Sequence, residues 1–121
     1  MRVLFLLAVF ISFIFTVEAQ RTFSQYICQL SHKHSQKTFY LGLGESKKVK
    51  VGGWNIFAGL SKKENEITVS LRRVVSIMDA TYQREEIKSY PLDARKLPVE
   101  LEHHFGGKID TFSMICYPRD P

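Results

Sequence analysis

From residue 26 onward, apolar side chains fall on every second position of short segments. The series runs Tyr26, Cys28 and Leu30; Phe39, Leu41 and Leu43; Val49 and Val51; Trp54, Ile56, Ala58 and Leu60; Ile67, Val69 and Leu71; and Phe112, Met114 and Cys116. In a β-strand successive side chains point to opposite faces, so this period marks strands buried on one side. No window sustains a helical i, i+3, i+4, i+7 stripe. Residues 70–79 come nearest, with Leu71, Val74, Val75 and Met78. The alternation leading into them and the Val74-Val75 pair favour a strand there too.

Turn residues separate the segments. Gly44-Glu45-Ser46, Gly52-Gly53, the polar stretch 61–65 and Gly106-Gly107 read as connections, and Pro91 and Pro98 break the chain around 92–97. Residues 54–60 and 66–75 read as a hairpin about 61–65. The more polar segment 81–90 reads as an edge strand, and Val99, Leu101 and His103 as part of another. About seven or eight short antiparallel strands predict an all-β chain, folded as a small sandwich.

The first residues follow a different rule. Met1-Arg2 is followed by an apolar run from Val3 to Val17, then Glu18 and Ala19. Positive start, apolar stretch and small residue at the end are the order of a cleavable secretory signal, with the cut expected between Ala19 and Gln20. The run falls short of the roughly 20 residues that span a bilayer as a helix, so an integral membrane protein is not expected. The expected organisation is a signal peptide over 1–19 and one β domain over 20–121, secreted or periplasmic.

Two cysteines remain, Cys28 and Cys116, each in phase with the apolar side of its strand. In an oxidising compartment an even count predicts a bridge, here pinning the first and last strands through the core. A sandwich with two inward cysteines and Trp54 between them resembles the immunoglobulin arrangement. The resemblance is one of architecture: the cysteines stand farther apart than in that family, and Met114 occupies the position of its corner tyrosine.

The chain carries a net charge of +5, unevenly spread. Residues 20–75 hold ten Lys/Arg against three Asp/Glu, and residues 76–121 six against eight. Lys48 and Lys50 share one strand face, Lys62 and Lys63 lie at the expected hairpin tip, and Arg72-Arg73 lies on its partner strand, with Tyr40 and Phe57 on phases opposite the core. Cations interleaved with aromatics suit an acidic protein, a glycan or a membrane surface. The strand 81–90 offers an alternative contact by β-augmentation, although Arg84, Glu85, Glu86 and Lys88 also guard such an edge. Nucleic acid is not an expected partner of an exported domain.

Signatures of chemistry are sparse. His32 and His34, two apart on an extended chain, and the adjacent His103 and His104 form the one candidate metal set. Glu100 and Glu102 share a strand face at a separation seen in glycosidases, yet alternate charges also solvate a surface. There is no G-x-S-x-G segment, no phosphate-binding loop and no Asn-x-Ser/Thr acceptor site. No catalytic residue or cofactor is assigned. The expected function is an exported, non-enzymatic binding or assembly module. A secreted effector or toxin-like protein is the alternative, and a small metal protein or hydrolase has the least support.

Overall fold

The computed structural model describes residues 24–119; the predicted signal peptide lies outside them. The alternating segments form eight antiparallel strands, and no helix occurs among the described residues. They are β1 (Gln25–His32), β2 (Ser35–Gly42), β3 (Glu45–Val51), β4 (Trp54–Lys63), β5 (Glu66–Ile77), β6 (Ala80–Pro91), β7 (Leu97–Phe105) and β8 (Lys108–Pro118). Every connection is two residues long except that from β6 to β7, which takes residues 92–96. The strands run further than the alternation alone suggests. The connection read at 61–65 shrinks to Glu64-Asn65, and the turn read at Gly44-Glu45-Ser46 moves to Leu43-Gly44.

Two four-stranded sheets result, ordered β2-β1-β8-β7 and β3-β4-β5-β6. Neighbours in each sheet are consecutive in the chain, save that β1 pairs with β8. The topology is therefore an up-and-down meander closed on itself, and it departs from the expected immunoglobulin-like arrangement. A Greek key needs a long return connection between strands that are not neighbours. Six of the seven connections here are two residues long, five of them joining paired neighbours and that from β2 to β3 passing between the sheets, so none is long enough for such a return.

The inward phases supply one core. Tyr26, Cys28 and Leu30 of β1 meet Ile56, Ala58 and Leu60 of β4, Ile67, Val69 and Leu71 of β5, Leu97, Val99 and Leu101 of β7, and Phe112, Met114 and Cys116 of β8. The cysteines do form a disulfide, but it does not cross the sandwich. Cys28 and Cys116 lie directly opposite each other on neighbouring strands of one sheet, with Cα atoms 4.1 Å apart. The bridge thus locks the β1–β8 seam that closes the meander.

Candidate functional site

The second sheet shows its solvent face along a cross-strand row. Lys48 of β3 lies opposite Phe57 of β4, which lies opposite Arg72 of β5. The Arg72 guanidinium sits 4.6 Å from the Phe57 ring centroid, a cation–π contact. Lys50 continues the same face one step along β3, opposite Asn55, and Glu85 of β6 bounds the row beyond Arg72. Four of the predicted surface residues, Lys48, Lys50, Phe57 and Arg72, are thus brought together.

The others are not. Lys62 and Lys63 stand at the β4–β5 tip, exposed, pairing with Ile67 and Glu66 and pointing to opposite faces. Tyr40 lies on the other sheet, beside Ile27, with the Arg119 guanidinium 4.5 Å from its ring centroid. Arg73 is only 2 % exposed and belongs to the interior, because side chains alternate and its neighbour Arg72 takes the outer face.

Arg73 leads to the most unusual part of the molecule. Each of four inward series ends in a polar residue two positions past the apolar core: Leu30 gives way to His32, Leu71 to Arg73, Leu101 to His103 and Phe112 to Asp110. These four meet at the end of the sandwich away from residues 24 and 119, beside the turns at 33–34, 52–53, 78–79 and 106–107. Asp110 accepts from Arg73 Nη1 at 2.7 Å through one carboxylate oxygen, and its other oxygen lies 3.2 Å from His32 Nε2. The His32 ring stacks on Phe112, centroids 4.4 Å apart. The Arg73 guanidinium covers the Trp54 ring at 4.1 Å and approaches Phe112 at 5.4 Å. A buried charge costs several kcal/mol unless paired, and here a carboxylate and two π faces supply the pairing.

Gly52 lets the turn close over this group. A β-carbon there would lie 2.8 Å from His32 Nδ1, and its φ of +56° is one that L side chains rarely adopt. The Arg73 hydrogen bond holds the Asp110 carboxyl below its ordinary pKa, against the opposing effect of burial and with help from His32. Burial, then the positive charge of Arg73, lowers the pKa of His103. Arg73 Nε and His103 Nδ1 are buried and have no hydrogen-bond partner.

The predicted metal set does not assemble. His32 is engaged by Asp110, His34 stands exposed in the β1–β2 turn, His103 points inward, and His104 points outward beside Glu102 at 3.3 Å. Among the described residues no three His, Cys, Asp or Glu side chains are grouped to hold a metal. Adjacent residues on a strand face opposite ways, which separates His103 from His104. Glu100 and Glu102 are exposed on the outer face of β7.

Asp110 is the site residue that the sequence reading missed. Its signal was present: it continues the inward phase of Phe112, Met114 and Cys116, as His32, Arg73 and His103 continue theirs. Alongside this layer, a cleft of about 600 Å³ opens between β6 and β7, lined by Thr81, Tyr82, Gln83, Arg84, His103, His104 and Phe105. Tyr82 faces Phe105 edge-on there, with ring centroids 5.0 Å apart. No protein-family model, curated protein or solved structure matches the chain.

Proposed function

We propose that the protein is an exported, non-enzymatic binding module that engages an acidic protein, glycan or membrane surface through the outer face of β3, β4 and β5. The observation that carries this reading is the row Lys48–Phe57–Arg72, with Lys50 beside it. Two cations flank an aromatic floor, an arrangement that attracts anions electrostatically and packs against their apolar parts. The neighbouring edge supports the same reading. β6 has only β5 as a ladder partner, so its other edge keeps backbone groups free for a partner segment between the places where Tyr82 and Tyr90 reach Phe105 and Pro98 of β7.

Two double variants of equal charge change test it. Lys48→Glu with Lys50→Glu alters the row, whereas Lys62→Glu with Lys63→Glu alters the distant β4–β5 tip. Retention on immobilised heparin and on anionic vesicles is expected to fall with salt and to drop severalfold for the first variant only. Equal losses for both pairs would reduce the effect to net charge and end the proposal.

A further inference from the structure

With the exposed Arg84 beside it, the end layer carries more positive charge than it neutralises. Arg73 and Arg84 lie directly opposite each other on β5 and β6, on the same inward phase. Like charges at directly opposed positions repel. The carboxylate of Asp110 is spent on Arg73 and His32. Arg84 makes no ion pair among the described residues, and its charge opens onto the cleft. His103, 95 % buried by its 5 % exposure, lines the same cleft with Nδ1 unpartnered. Buried polar atoms are almost always satisfied, so an orphan beside an unpaired arginine points to a missing acceptor. The rest of the lining is of another kind: Tyr82 and Phe105 form an aromatic wall. The cleft volume of about 600 Å³ suits a small organic molecule.

We propose that this cleft binds a small organic oxyanion, a carboxylate or phosphate ester on an aromatic or apolar body, with Arg84 and His103 meeting the anionic group and Tyr82 and Phe105 meeting the body. The site is separate from the basic face of the second sheet and does not depend on that reading. Arg84 presents a fork that matches carboxylate or phosphate oxygens. Neutral His103, whose Nδ1 is closed to solvent in the structure, adds a hydrogen bond in the tautomer that carries its proton on Nδ1 once the ring turns toward the bound anion. Beneath them Asp110 holds Arg73 in place.

The test is an NMR titration of the full chain with benzoate and with phenyl phosphate, using benzamide as the neutral counterpart of the same shape. Saturable shifts at His103 and Tyr82 are expected for at least one oxyanion and not for benzamide. The preferred probe distinguishes carboxylate from phosphate. Bound anion should also raise the pH at which His103 titrates, since it stabilises the protonated ring. Arg84→Gln, an exposed substitution, should weaken binding by about tenfold or more, while Lys48→Glu with Lys50→Glu leaves it unchanged. Tyr82→Ala provides a second variant at the wall. No saturable shift at millimolar oxyanion, binding of benzamide equal to benzoate, or unchanged affinity in Arg84→Gln would each overturn the proposal.

Discussion

Asp110 ties Arg73 and His32 of the end layer into one unit, because its two oxygens answer them while Phe112, two positions along β8, stacks on the His32 ring. Removing its charge leaves a buried guanidinium without a counter-ion. Asp110→Asn is therefore expected to destabilise the fold by about 3–5 kcal/mol at neutral pH, read from urea unfolding. The pH dependence has a definite sign. A carboxylate with a depressed folded pKa adds stability above its ordinary value of 3.8, and that stability is lost as pH falls through the folded value. The gap between wild type and Asp110→Asn should accordingly be wide at neutral pH and close in strong acid. A gap that stays constant with pH would show that the carboxylate's charge is not what stabilises the layer. The four residues of this layer were individually visible in the alternation, yet nothing in the spacing of 32, 73, 103 and 110 shows that they meet. Their meeting depends on strand register, which the chain reveals only once folded.

At the scale of elements, the hairpin of β5 and β6 shows where turn chemistry was legible and where it was not. The glycine pairs at 52–53 and 106–107 announce left-handed backbone, and all four have positive φ. Met78 and Asp79 occupy the same kind of two-residue turn, with φ of 49° and 68°, although a methionine gives no such signal. That is why 70–79 carries a trace of helical pattern: no turn residue interrupts it. Met78 is 94 % exposed, so nothing packs over it to repay an unfavourable backbone. Replacing Met78-Asp79 with Asn-Gly, the pair such turns prefer, should stabilise the protein by about 1 kcal/mol, visible as a higher melting temperature. No gain would mean that the tip relaxes its backbone in solution. The edge reading of 81–90 survives as β6, a strand paired on one side only. Its charges were readable because an exposed edge has no core to hide them in.

Across the whole molecule, the all-β class and the bridge were legible, and the topology was not. Alternation and inward-phased cysteines are local properties, whereas the pairing of β1 with β8 is a property of the two ends together. The brevity of the turns did contain the answer, since six two-residue connections leave no chain for a Greek-key return. The disulfide spans 88 residues, and in the chain-entropy account such a loop adds on the order of 4 kcal/mol. Reduction, or Cys28→Ala with Cys116→Ala, is expected to lower stability by about that amount in denaturant unfolding. An unchanged midpoint would mean that the seam holds without its bridge.

The same seam imposes an order on folding. Strands β3 to β6 can zip together hairpin by hairpin, each contact reaching only across a two-residue turn. β1 can join β2 early, but its other edge has no partner until β8, the last strand, has been made. Closing that long separation is the entropically slow step of a sheet built this way. A chain made from its N-terminus therefore carries Cys28 without its partner until β8 has been made, with an unpaired strand edge beside it, and the arrival of that one strand protects both.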